Sequence, residues 1–110
     1  MQNQSLALAL HEQLGNKQYI AINYIHLGNI YLVQNDLDKA LALQNRALEL
    51  SELIAYKEGM ATAYANLGEI YQTQNEKIKA RICWQKSIKL FNQLDMPEAR
   101  AVQSWLDALQ

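Results

Sequence analysis

The sequence contains few of the residues that crosslink or interrupt secondary structure. Its 110 residues include one cysteine, one proline and four glycines. Because Cys83 is alone, no internal disulfide can form, and a reducing, cytoplasmic compartment is expected. The scarcity of proline and glycine, beside plentiful alanine, leucine, glutamine, asparagine and lysine, favours an all-α fold.

Charge of one sign and long apolar runs are also missing. The net charge is −1, which argues against a nucleic-acid or anionic-membrane partner, since either would require a basic excess. The apolar stretch at residues 5–10 is too short to span a bilayer and lacks the basic leader of a signal peptide. Half of the residues are hydrophobic, so a single domain with a shared core is expected.

The chain repeats itself with a period of forty residues. Residues 21–40 and 61–80 align without gaps, and periods of this length are typical of helical-hairpin arrays. The identical pairs are Ala21/Ala61, Tyr24/Tyr64, Leu27/Leu67, Gly28/Gly68, Ile30/Ile70, Tyr31/Tyr71, Gln34/Gln74, Asn35/Asn75, Lys39/Lys79 and Ala40/Ala80.

The hydrophobic spacing predicts two helices in each repeat. Repeat one (residues 19–56) has helices at 19–33 and from 37 to about 54, and repeat two (57–94) has helices at 57–73 and 77–94. Asn35 and Asn75 suit the turns because asparagine tolerates the left-handed conformation, and Asp36 can cap the helix after it. Tyr24, Leu27, Gly28 and Tyr31 form a stripe that is predicted to be buried, with Gly28 allowing close approach of the partner helix.

The two ends of the chain extend this pattern. Residues 1–14 match residues 41–54 at the same shift, so they are predicted to be the second helix of a partial repeat, ended by Gly15-Asn16. Residues 97–109 are predicted to form a capping helix, with Asp95 as its N-cap. The expected fold is therefore an all-α superhelical array of antiparallel helix hairpins: two full repeats, an N-terminal half-repeat helix and a C-terminal capping helix.

The repeated motif resembles the tetratricopeptide repeat. That family's aromatic, Leu-Gly, Tyr and Ala positions are matched by the residues at 24, 27, 28, 31 and 40, and again forty residues later. Asn35 and Asn75 depart from the family's turn glycine, and the period exceeds its usual thirty-four residues. The longer period is similar to that of the subclass found in kinesin light chains, spindle-orientation adaptors and bacterial peptide sensors.

The resemblance implies that the first helix of each pair lines a concave groove, in which a peptide or helix of another protein binds. Asn66 is the strongest candidate contact, because the amide at its position often bonds a bound main chain in the resembled subclass. Ile25 and Ala65 occupy positions where a carboxylate clamp would need a basic residue, so such a clamp is not expected. The predicted contact residues are Ile22, Ile25, His26, Asn29, Val33, Asn66, Glu69 and Thr73.

Several alternatives stay open at this point. Ile22 and Ile25 could instead pack on the helix at residues 1–14, and Asn29 and Asn66 could be solvated surface residues. Self-association, by pairing or exchange of the N-terminal helix, is the second function hypothesis. His26 and Glu69 could suggest acid–base catalysis, but no nucleophile, glycine-rich loop or metal-ligand spacing accompanies them, so neither an enzyme nor a cofactor is expected.

Overall fold

In a computed structural model, the backbone is described for residues 2–109 and the side chains for residues 15–109. This part of the chain forms five helices and no strand. The helices are α1 (Gln2–Val33), α2 (Leu37–Leu53), α3 (Lys57–Thr73), α4 (Lys77–Gln93) and α5 (Glu98–Ala108). The predicted all-α array is confirmed, and α2 and α4 begin forty residues apart, as the repeat requires.

Each helix from α1 to α4 ends in the same left-handed turn. Asn35, Ala55, Asn75 and Asp95 have φ angles of 62°, 56°, 63° and 53° and lie twenty residues apart. In the first of these turns, the Asp36 amide bonds the Tyr31 carbonyl at 2.8 Å, and the other three turns repeat this bond. The bond satisfies a carbonyl that the helix end leaves without a partner, so the turn reverses the chain into the next antiparallel helix.

The predicted turn chemistry is correct at Asp36 and wrong at Asp95. The Asp36 carboxylate accepts a hydrogen bond from the Lys39 amide and caps α2, as expected. Asp95, however, occupies the left-handed position of the turn, and Pro97 is the residue that precedes the first turn of α5. The N-cap interpretation of Asp95 is therefore wrong, because the repeated turn already uses that position.

The break predicted at Gly15-Asn16 is also wrong. The backbone of α1 stays helical from Gln2 through Gly15 to Val33, and no glycine of the described residues has a positive φ. At about 1.5 Å per residue, α1 is roughly 48 Å long, about twice the length of α2. The α1–α2 hairpin therefore uses only the C-terminal half of α1.

Two glycines let the helices of each hairpin approach closely. A Cβ on Gly28 would lie 2.5 Å from Nε2 of Gln44, and one on Gly68 would lie 2.3 Å from Nε1 of Trp84. Each of those nitrogens donates to a helix carbonyl, Gln44 to Ile25 at 3.1 Å and Trp84 to Ala65 at 3.0 Å. The predicted role of Gly28 is confirmed, and the residue that it admits is a buried hydrogen-bond donor.

The core continues from one hairpin to the next. Ile25 of α1, Ala47 of α2 and Ala63 of α3 are buried in one cluster. A larger cluster joins α3, α4 and α5 around Trp84, whose ring centroid lies 6.0 Å from that of Trp105. Each hairpin is thus packed on the next one, as in other stacked helical-hairpin arrays.

Candidate partner-binding cleft

A cleft of about 290 Å³ lies between α3 and α5. Its floor is apolar, because Phe91 and Val102 belong to the core cluster, while Trp105 is 43 % exposed at its wall. The residues that line it are Glu58, Thr62, Ala65, Asn66, Phe91, Met96, Glu98, Ala101, Val102 and Trp105. An apolar floor with a few polar groups at the edge is the usual composition of a binding site.

Asn66 carries an unused hydrogen-bond donor in this cleft. Its Nδ2 atom is buried and has no hydrogen-bond acceptor among the described residues. A buried donor without an acceptor costs roughly 1–3 kcal/mol, so an incoming carbonyl would be stabilising there. The hydroxyl of Thr62 is not free to donate a hydrogen bond to a ligand, since it already donates to the Glu58 carbonyl at 2.9 Å.

The polar edge of the cleft is acidic. Glu58 lies in the first turn of α3 and Glu98 in the first turn of α5, and both side chains are exposed. No basic residue is among those that line the cleft. The two carboxylates therefore favour a cationic group on whatever occupies the cleft, with the modest strength of exposed charges.

Of the eight predicted contact residues, only Asn66 lines this cleft. Glu69 and Thr73 are exposed farther along α3, and the Thr73 hydroxyl donates to the Glu69 carbonyl at 2.9 Å. Three others lie on α1: Ile22 is half-buried, and His26 and Val33 are exposed. These residues are not gathered around the cleft with Asn66.

Ile25 and Asn29 are held by packing within repeat one. Ile25 is 6 % exposed, and its partners in the core cluster are on α2 and α3. Asn29 is half-buried, and its Oδ1 atom lies 3.5 Å from the Nε2 donor of Gln44. The burial of Ile25 leaves little of its side chain for a ligand, so its predicted contact role has no support from the structure.

Sequence reasoning missed the contribution of α5 to this cleft. Trp105 was expected to be part of a cap, yet it faces the cleft with nearly half of its surface exposed. It lies forty residues after Ala65, which also lines the cleft. The forty-residue period, continued into α5, places Trp105 at the position of Ala65 and would have identified it as a cleft residue.

Within residues 2–109, no helix combines the length and hydropathy that crossing a bilayer requires. The described residues also contain no group of three or more histidine, cysteine, aspartate or glutamate side chains arranged to hold a metal ion.

Cys83 is a buried titratable group whose pKa is displaced. Burial raises the pKa of its thiol, and nearby Lys86 only partly opposes that effect. The thiol is therefore kept in its protonated, unreactive form, as in a structural cysteine.

Stacked antiparallel helix hairpins define the class of helical-repeat proteins. Within that class, a sequence model described as tetratricopeptide repeat matches residues 19–93. The chain therefore belongs to the tetratricopeptide repeat family, whose repeats generally mediate protein–protein interactions and are typically non-enzymatic. Comparisons with curated proteins and with solved structures gave no match.

Proposed function

We propose that this protein binds an extended segment of a partner protein in the cleft between α3 and α5. The observation that carries the proposal is the unpaired, buried Nδ2 donor of Asn66 at an apolar cleft. A main-chain carbonyl of the segment accepts from Asn66 after a small rotation of the amide. No chemical step is needed for this function, and no cofactor takes part in it.

The lining residues indicate which segment fits best. One large apolar side chain of the segment packs against Met96 and Trp105. A lysine or arginine of the same segment lies close to Glu58 and Glu98. The preferred partner is therefore an extended peptide that combines one bulky apolar residue with a nearby basic residue. The long-repeat subclass, some of whose members bind peptides, is a proposed affiliation in line with the forty-residue period.

The test is selection from a displayed library of twelve-residue peptides, followed by titration of the enriched peptides. Trp105 provides the signal, because its exposed indole lies in the cleft, whereas Trp84 is buried. We expect Asn66→Ala to weaken binding by about tenfold, equivalent to roughly 1.4 kcal/mol for one hydrogen bond to the main chain. The matched control is Asn92→Ala, an exposed asparagine of α4 outside the cleft, which should bind as the wild type does. Equal affinity of all three proteins would refute the proposal.

A second candidate function is self-association through the N-terminal half of α1. The observation that favours it is an uncovered apolar face on the C-terminal half of α1, which the N-terminal half of another copy can cover: Leu27 and Ile30 are 45 % and 52 % exposed. Exposed apolar side chains on one helix face are typical of surfaces that contact another protein. Light scattering over a wide range of protein concentration tests this candidate, and a constant monomer mass would exclude it.

A further inference from the structure

The first helices of the two repeats differ in the exposure of one face, the face that points towards the N-terminal end of the stack. We define the leading face of α1 as Asn23, Leu27 and Ile30, and the leading face of α3 as their equivalents forty residues later. Leu67 and Ile70 are 2 % and 0 % exposed, because α2 packs on the leading face of α3. Among the side chains described, none covers the leading face of α1 in the same way.

The uncovered region continues from the leading face into a neighbouring groove. A groove of about 390 Å³ lies between α1 and α2 and is lined by Ile20, Tyr24, Arg46, Glu49, Leu50 and Leu53. Ile20 and Leu53 are 42 % and 71 % exposed. In repeat two, Tyr64 is the residue equivalent to Tyr24. Its hydroxyl donates a hydrogen bond to Glu52 of α2. The α1 side of this groove thus corresponds to the part of α3 that α2 contacts.

Residues 1–14 carry the sequence that covers this surface elsewhere in the chain. Aligned at the forty-residue shift, they match the part of α2 that packs on α3. The matched residues of α2 include Ala47, which lies in the core cluster, and Glu52, which accepts a hydrogen bond from Tyr64. The identical pairs are Gln4/Gln44, Ala7/Ala47, Leu8/Leu48, Leu10/Leu50 and Glu12/Glu52. The occupant suited to the leading face of α1 is therefore encoded in the same chain.

The straight course of α1 prevents that segment from reaching its own leading face. The left-handed turns at residues 35, 55, 75 and 95 fall every twenty residues, and the next position in this series is Gly15. Glycine is the residue best suited to such a turn, yet the backbone at Gly15 is helical and a Cβ there would meet nothing within 4 Å. Because α1 continues straight, residues 1–14 extend along its axis, away from Leu27 and Ile30.

We propose that two copies of the chain exchange residues 1–14. Their α1 helices pair antiparallel about a two-fold axis at Gly15, and the N-terminal segment of each copy covers the leading face of the other. The register follows the packing of α2 on α3: position 7 of one copy lies opposite position 23 of the second, as Ala47 lies against Ala63. The absence of a side chain at Gly15 allows the two backbones to approach at the axis. This inference rests on the proposed self-association and specifies its register.

Disulfide crosslinking tests the register. In a Cys83→Ala background, Ala7→Cys and Asn23→Cys are combined, and the protein is oxidised and examined on a non-reducing gel. Exchange predicts a covalent dimer, whereas folding back at Gly15 within one chain would give an internally linked monomer and overturn the proposal. The control pair, Ala7→Cys with Gln85→Cys on the exposed side of α4, should remain uncrosslinked.

Light scattering separates the failure of this inference from that of self-association itself. A constant monomer mass up to about 1 mM, a concentration at which even a dimer with a millimolar dissociation constant would be seen, excludes both. A dimer without the 7–23 crosslink excludes the exchange and leaves self-association standing. A dimer with the crosslink supports both.

A charged substitution on the leading face gives an independent measurement. Leu27→Glu should weaken dimerisation by at least about tenfold, because a charge then lies in the covered surface. Ile82→Glu is the matched control, since Ile82 of α4 has a similar exposure of 47 % and lies outside the proposed contact. Its dimerisation should change by less than about twofold. Circular dichroism verifies that both variants fold, and equal weakening by the two would overturn the proposal.

Discussion

The two repeats share a motif but place it in different surroundings. Leu67 and Leu27 occupy the same motif position, yet the first is 2 % and the second 45 % exposed. The predicted burial of Leu27 is wrong for this reason, since α2 covers the leading face of α3 and the straight α1 leaves its own leading face uncovered. A repeat motif specifies which face of a helix is apolar, and the neighbouring helix decides whether that face is buried.

Truncation of the motif leucine should give the largest difference between the repeats. Leu67→Ala creates a cavity at a buried site and should lower the free energy of unfolding by about 2–5 kcal/mol. Leu27→Ala should lower it by less than about 1 kcal/mol at dilutions where the protein is monomeric, because the site is half exposed. Urea denaturation at low micromolar protein concentration measures both. Equal losses would show that the leading face of α1 is covered within the monomer.

Substitution of the motif glycine should give the next largest difference. In Gly68→Ala, the new methyl group meets the rigid, buried Trp84 ring, and a loss of about 2–3 kcal/mol is expected from overpacking. In Gly28→Ala, it meets the amide end of Gln44, which can turn aside, so the loss should be about 1 kcal/mol smaller. Urea denaturation measures this order as well. The reverse order would mean that the Gln44 hydrogen bond matters more than the fit of Trp84.

Substitution of the small residue in the second helix of each repeat should give a smaller difference in stability between the repeats. Ser87 donates to the Ala61 carbonyl at 2.8 Å, whereas repeat one has Ala47 at the same position. Ser87→Ala should therefore cost about 1 kcal/mol of stability. Ala47→Ser should be close to neutral if its hydroxyl reaches the equivalent Ala21 carbonyl. A loss above about 2 kcal/mol for Ala47→Ser would show that this hydrogen bond cannot form in repeat one.

The smallest expected effect is a pH dependence at Tyr64. Burial, with a smaller contribution from the charge of Glu52, raises the pKa of its phenol above the usual 10.0. The folded state then holds this proton more tightly than the unfolded chain does, so the stabilisation is complete below about pH 10 and is lost as the pH rises through the folded pKa. Between pH 8 and 11, the melting temperature should therefore fall less in Tyr64→Phe than in the control Tyr71→Phe. Identical profiles would contradict the assignment.

Local patterns were sufficient to predict most of the fold. The helical spacing predicted α3 at its observed bounds and placed the ends of α2, α4 and α5 within about one residue. Asn35 and Asn75 predicted the left-handed turns because asparagine tolerates positive φ. These features depend on residues close together in sequence, which is why a single sequence was enough to predict them.

The candidate site was predicted less completely. Asn66 was identified from its motif, but the cleft around it depends on Trp105, Met96 and Phe91, which pack there only once α5 lies against α3 and α4. Ile25 was expected either to face the groove or to pack on the helix at residues 1–14, because it lies off the tyrosine stripe. It is buried because α2 and α3 both contact that side of α1. Contacts between helices that are distant in sequence cannot be derived from the period of one helix.

By itself, the sequence determined the helical class, the forty-residue period, the turn residues and the glycines at which two helices approach closely. These follow from backbone preference and side-chain spacing, which act locally. The tertiary structure alone decided which copy of a repeated apolar face is buried, that Gln44 and Trp84 fill the space above the glycines, and that Gly15 lies inside a straight helix. The reason is physical: burial is a property of two surfaces, and the second surface comes from another part of the chain or from another molecule.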